Sequence, residues 1–229
     1  MADSQSIVLV HGAWHGPWVW DRVVGPLRER GLDVHTVKHP SSDPTQDALG
    51  DMYADAESLR RKLDSIDGDV LVVAHSYGGV VATEGAAGVA GVKHIVYLTA
   101  FMLDEGESLF SAVGSNVPDW WIRHEDAGTV EVGRPDEIFY NDCTPEDAAA
   151  AAAKLEPQLE ESFMQPVRSV AWRDVPTTYV ICDQDNAIPV FAQEHMSQRA
   201  GDVRRLDSSH SPFVSMPDRV VEIISELAG

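Results

Sequence analysis

The stretch "VLVVAHSYGGVVA", residues 70–82, decides the fold. Five of its first six residues are apolar and three of them are valine, the pattern of a strand buried on both faces of a parallel sheet. A helix-like apolar pattern resumes after Gly78 and Gly79. Between the two stands Ser76, at a corner where a strand hands over to a helix.

Outward from this corner, apolar β-rich runs alternate with longer amphipathic ones. The runs predict strands at Ile7–Val10, Asp33–Val37, Val70–Ala74, His94–Thr99, Thr177–Cys182 and Val203–Leu206. Helices are expected at Trp18–Arg30, Gln46–Ile66, Tyr77–Ala87, Val190–Arg199 and Pro217–Leu227. Strand alternating with helix implies an α/β protein, a six-stranded, mostly parallel sheet with helices on both faces. The rhythm breaks between Phe101 and Trp172, where no strand is evident. "TPEDAAAAAAKL" supplies a strong helix there, opened by Thr144 or Pro145 with acidic residues in its first turn. An excursion of this length is not structureless in a compact domain. The expected organisation is a core of residues 1–103 and 176–229 with a small, mostly helical cap at 104–175.

Length and composition bound the function. A chain of 229 residues, 44% hydrophobic, can build one full core. "MADSQSIVLV" has no basic leader region, and no apolar run approaches a membrane span. Cys143 and Cys182 are too few for a disulfide framework, so a reduced, cytoplasmic setting is expected. The 37 acidic residues against 17 basic ones give a formal charge of −20, which repels nucleic acid and anionic membranes. The expected partner is a small molecule, with a homodimer allowed.

In an open parallel sheet, ligands bind beyond the carboxyl ends of the strands, where Ser76 stands. The surrounding Ala74-His75-Ser76-Tyr77-Gly78-Gly79 matches the nucleophile-elbow pattern G-x-S-x-G, except for one extra methyl group at Ala74. Such a turn points the hydroxyl outward and aims the Tyr77 N–H, at a helix N-terminus, toward a developing oxyanion. The competing reading is a serine that only caps the helix. A serine nucleophile needs a base and an orienting acid, in the chain order Ser, acid, His. "LDSSHSPFVSMPDRV" places His210 after the last strand, against the plainer reading of an exposed loop histidine. His195 falls inside an expected helix. For the acid, "YVICDQDNAIP" offers Asp183 and Asp185, and "FMLDEG" offers Asp104. Asp185 is favoured because its loop has room to bend back, whereas Asp183 suits backbone donors in its own turn. "VLVHGAWHGPWVW" supplies a second oxyanion donor, the N–H of Ala13, after Gly12 permits close backbone approach. His11 and His15 straddle a strand end and a loop, so their i, i+4 spacing does not suggest zinc.

These stretches, together with "DNAIP" and "SSHSPFVSMPDRV", resemble the α/β-hydrolase superfamily. More narrowly, they resemble the group of plant methyl esterases (salicylate-binding protein 2 and its relatives), plant hydroxynitrile lyases and bacterial esterases of the same build. The resemblance implies a Ser76, Asp185, His210 triad with Ala13 and Tyr77 as oxyanion donors. It implies hydrolysis of small carboxylic esters through an acyl-enzyme, with no metal or organic cofactor. A lactonase, a cyanohydrin lyase and a non-hydrolytic binding protein are the alternatives. Lyases of the group use a lysine beside the catalytic histidine and a threonine after the first strand, where this chain has Ser211 and Gly12. Gly12, Trp120, Trp121 and Phe163, with Met164, are the expected substrate-facing residues; the cap's large apolar side chains otherwise fill its own core.

Overall fold

Runs of valine, leucine and isoleucine become the strands of one buried sheet in the computed structural model, which describes residues 5–43, 45 and 49–229. The strands, in chain order, are β1 (Ser6–Val10), β2 (Asp33–Thr36), β3 (Val70–Ser76), β4 (Val92–Ala100), β5 (Trp121–His124), β6 (Thr129–Val132), β7 (Gln158–Leu159), β8 (Thr177–Cys182) and β9 (Asp202–Leu206). Early helices are α1 (Asp21–Glu29), α2 (Met52–Asp64) and α3 (Gly78–Gly85). Between β4 and β8 lie α4 (Leu109–Ala112), α5 (Pro135–Ile138), α6 (Pro145–Ala152) and α7 (Glu161–Met164). The chain closes with α8 (Val190–Ser197), α9 (Pro212–Ser215) and α10 (Pro217–Ala228).

Six strands form a sheet in the order β2-β1-β3-β4-β8-β9, every pairing parallel. All six expected strands are present, most within two residues of their expected ends. The start expected for α2 at Gln46 lies outside the described residues; Asp51 caps the observed helix by accepting the Ala54 N–H at 2.9 Å. Side chains alternate across the sheet. Val8 and Val10 face one core with Met52, Leu59 and Val80, while Ile7 and Leu9 face another with Val23, Leu27 and Val221. Thus α2 and α3 cover one face, and α1 and α10 the other. Burial on both faces is why the central strands β1, β3, β4 and β8 read as largely apolar runs, whereas the edge strands β2 and β9 stay partly exposed and carry charge.

The segment between β4 and β8 corrects one expectation. It carries the short helices, but also a three-stranded antiparallel sheet, β5-β6-β7, where no strand was expected. Its strands are four residues or fewer, too short for a periodicity to register in the sequence. The alanine helix α6 forms as expected, with Thr144 accepting the Asp147 N–H at 3.2 Å and Pro145 in its first turn.

Polar ties fasten this segment to the core at several points. Asn141 Nδ2 donates to the Gln184 carbonyl at 3.0 Å, and Asn186 Nδ2 to the Glu137 carbonyl at 2.8 Å. Asp142 accepts from Ser208 Oγ and the Ser209 N–H, both at 3.0 Å. Gln165 Oε1 accepts the Met52 N–H at 2.9 Å, and Glu84 accepts the Arg168 N–H at 2.7 Å.

Candidate active site

The corner at Ser76 is strained. Its φ is +53°, in the left-handed region that a non-glycine residue enters at a cost of order 1–3 kcal/mol. Close packing of α3 holds the turn. A Cβ on Gly78 would lie 2.6 Å from the His11 carbonyl oxygen, and one on Gly79 2.6 Å from that of Phe101. Only glycine fits at either place. Ala74 is fully buried in the continuous strand, so its extra methyl group is accommodated there. Trp14 (φ +62°) and Thr99 (φ +37°) are left-handed too, and both border the same site.

Three strand ends converge on this corner. His210 Nδ1 lies 2.7 Å from Asp185 Oδ2, and both side chains are almost completely buried. Asp185 Oδ2 also accepts from Thr99 Oγ1 at the end of β4, and weakly from Gln193 Nε2 at 3.4 Å. Its Oδ1 accepts the Ala187 and Ile188 N–H groups at 2.7 and 2.9 Å. A carboxylate held by this many donors is fixed in position. It fixes the imidazole tautomer as Nδ1–H, leaving Nε2 as the acceptor facing the pocket. The rival acids are occupied elsewhere. Asp183 forks with Arg205, and Asp104 pairs with Arg173. The backbone-bridging role expected of Asp183 falls instead to Asp185 itself.

Ser76, His210, Ala13 and Tyr77 line one narrow chamber, walled by Trp14, Trp120, Trp121 and Phe139. Phe139 stacks on His210, with ring centroids 5.2 Å apart. The chamber shares Phe101, Val113, Pro118, Trp120, Ala187 and Ile188 with a wider outer cleft of about 900 Å³. Phe191, 75% exposed, stands in the wall of that cleft, which also carries Glu107, His195 and Arg199. Of the expected substrate-facing residues, Trp120 and Trp121 border the chamber. Phe163 does not: it is fully buried behind Trp14 and Trp121, with centroid separations of 5.2 and 4.8 Å. Gly12 has a packing role rather than a contacting one. A Cβ there would come within 2.8 Å of His75 Nδ1 and 2.9 Å of Ser76 Cβ. Trp14 and Phe139 were missed by the sequence reading, although Trp14 sits inside a stretch already singled out.

Four further histidines pack beneath the site. His11 places Nδ1 2.8 Å from the Gly12 carbonyl, and its Nε2 receives the His39 N–H at 3.3 Å. His15 Nδ1 donates to the Ala13 carbonyl at 2.7 Å, and its Nε2 lies 2.9 Å from Tyr140 Oη. Both ring nitrogens of His11 and of His15 are therefore engaged within the protein. His75 Nε2 lies 2.8 Å from the His210 carbonyl, supporting the loop that carries His210. Burial lowers the pKa of His11, His39 and His75, and takes that of His15 down to about 3.

The pattern extends to known proteins. The alpha/beta hydrolase family matches residues 7–223. The chain belongs to that family. Among relatives of this alpha/beta hydrolase is one from Aspergillus novofumigatus, alpha/beta hydrolase nvfD, 29% identical across 98% of this chain and 96% of its own. Salicylic acid-binding protein 2 of Nicotiana tabacum is 24% identical across 100% of this chain and 98% of its own. A pyrethroid hydrolase from Sphingobium faniae JZ-2 superposes with a TM-score of 0.86, at 24% identity, over 98% of this chain and 97% of that one. The resemblance read from the sequence, to the superfamily and to the group containing salicylate-binding protein 2, is borne out. Among the described residues, no helix is long and apolar enough to cross a membrane.

Proposed function

We propose that the protein hydrolyses carboxylic esters through an acyl-enzyme formed on Ser76. The enzyme is a carboxylic ester hydrolase, in keeping with relatives named as methylesterases and a pyrethroid hydrolase. Ser76 Oγ attacks the ester carbonyl while His210 Nε2 takes its proton. Asp185 keeps the imidazole in the required tautomer and stabilises the cation that forms. The Ala13 and Tyr77 N–H groups receive the negative charge on the carbonyl oxygen. His210 then protonates the departing alcohol, and water releases the acid by the same sequence. The observation that carries this reading is the Asp185–His210 pair at 2.7 Å, whose imidazole lines one chamber with a strained Ser76.

The two-part pocket bears on the substrate. A narrow aromatic chamber at Ser76 suits a compact apolar group on one side of the ester bond. The wide cleft beyond it leaves room for a larger group on the other. Cyanohydrin cleavage fits less well. The neutral Ser211 follows His210, and the space a side chain at position 12 would need is filled by His75 and Ser76.

The test is a panel of methyl, aryl and lactone esters scored by kcat/KM, run beside mandelonitrile. Hydrolysis that disappears in Ser76→Ala, with no cyanide released above the buffer rate, is the expected result. Cyanide release that depends on Ser76, in the absence of esterase activity, would instead establish a lyase.

A further inference from the structure

Asp55, on α2, is a completely buried carboxylate that the reaction above does not use. Burial raises its pKa, opposed by His39 and by its hydrogen bonds. A buried carboxylate of this kind is expensive, and an apolar side chain of similar volume often serves stability as well. Three donors compensate it. The Ser41 N–H approaches at 2.9 Å, Ser41 Oγ makes a second short bond, and Tyr77 Oη lies 2.6 Å away.

Tyr77 is the residue whose backbone N–H is assigned above to the oxyanion. Its ring is fully buried, and its hydroxyl ends on Asp55. On the other side, Ser41 Oγ donates to Asp55 and therefore accepts from Gln158 Nε2, a residue of β7 in the inserted segment. Gln158 Oε1 in turn accepts the Trp14 N–H at 3.3 Å. Trp14 follows Ala13, bearer of the second oxyanion N–H, and holds a left-handed backbone that needs outside support. Each hydrogen in this chain has an acceptor, so the network has a single satisfied arrangement. It runs without a gap from one oxyanion donor's residue to the neighbour of the other.

We propose that Asp55 is a positioning residue for the oxyanion hole, setting the spacing of the Ala13 and Tyr77 N–H groups through Tyr77 Oη on one side and Ser41 and Gln158 on the other. The inference rests on the acyl-enzyme reading above. The inserted segment contributes to catalysis through Gln158, without touching substrate. Because oxyanion donors act where charge develops, the network affects the transition state more than substrate binding.

The variants Asp55→Asn, Tyr77→Phe and Gln158→Leu test this with p-nitrophenyl acetate as substrate and an aryl trifluoromethyl ketone as inhibitor. The ketone forms a tetrahedral adduct with the serine and places an oxyanion in the hole. Each variant is expected to lower kcat about 10- to 100-fold with KM within twofold, and to weaken the ketone in step with kcat. The pH dependence of kcat/KM should stay that of the wild type, since His210 and Asp185 are untouched. If Asp55→Asn does not fold, Tyr77→Phe and Gln158→Leu carry the test, as each deletes one link and keeps an apolar group in its place. Wild-type kcat and ketone affinity in those two overturn the proposal, as does a loss shared equally between kcat and KM with ketone affinity unchanged. Ser76→Ala separates the two ideas. Its retaining activity would remove the acyl-enzyme reading itself, whatever the network variants do.

Discussion

Acid should destabilise this protein through His15. The residue is 1% exposed, wedged between the Ala13 carbonyl and Tyr140 Oη, and burial holds its pKa near 3 against an ordinary value of 6.5. A histidine depressed in the folded state takes up its proton first in the unfolded chain. Its contribution is therefore complete above about pH 6.5 and is lost progressively as the pH falls toward 3. Lowering the pH from 7 to 5 costs about 2 kcal/mol from this group alone, by linkage between the two pKa values. That loss corresponds to a fall in Tm of about 4–8 °C for a chain of this size. His11, His39 and His75 shift in the same direction for the same reason and steepen the loss. Asp55, raised by burial, acts in the opposite sense, and so does the relaxation of the −20 charge toward the isoelectric point. A difference measurement isolates the term: urea midpoints at pH 7 and pH 5 for wild type and His15→Gln, which cannot titrate. The wild type should lose about 2 kcal/mol more than the variant over that interval, by the same linkage. Equal losses, or an imidazole resonance of His15 that titrates near pH 6.5 in the folded protein, would show that the ring is not held neutral.

Other expectations are more local. Asp185→Asn should lower kcat by roughly 10⁴-fold, the cost of offering the imidazole the wrong tautomer, while Asp183→Asn leaves steady-state hydrolysis within threefold. Gly78→Ala should cost about 1–3 kcal/mol in chemical denaturation, because its methyl group meets the His11 carbonyl oxygen at 2.6 Å and the backbone has to shift. Trp120→Ala, at the junction of chamber and cleft, should change the ranking of esters by size more than it lowers turnover of a small acetate. Phe163→Ala, behind the chamber wall, should lower Tm and weaken all esters alike.

The parallel sheet was legible because its central strands, buried on both faces, are largely apolar, and the elbow because a sharp strand-to-helix turn leaves glycine few substitutes. Chain order and loop position were enough to single out Ser76 and His210, and they favoured Asp185 over Asp183. What escaped notice depends on three-dimensional neighbours. Thr99 reaches Asp185 only because β4 ends beside β8 in a left-handed residue. Asp55 reads as one more polar position on an amphipathic helix, and nothing in its local pattern marks it as fully buried. The strands "WIRH" and "TVEV" are too short for an alternation to stand out. Phe163 shows the converse error, a large apolar residue assigned to a ligand when its neighbours are other side chains.

The ties between the inserted segment and the core have a kinetic consequence. Asn141, Asn186 and Asp142 join it to the loops carrying Asp185 and His210, while Gln165 and the Arg168 N–H join it to α2 and α3. A roof pinned along both sides of the sheet does not swing as a lid does. On this arrangement substrate should enter through a standing doorway, the cleft bordered by Phe191, with no opening event before turnover. Progress curves on a dissolved ester should start without a lag, and adding an oil–water interface should bring no jump in rate.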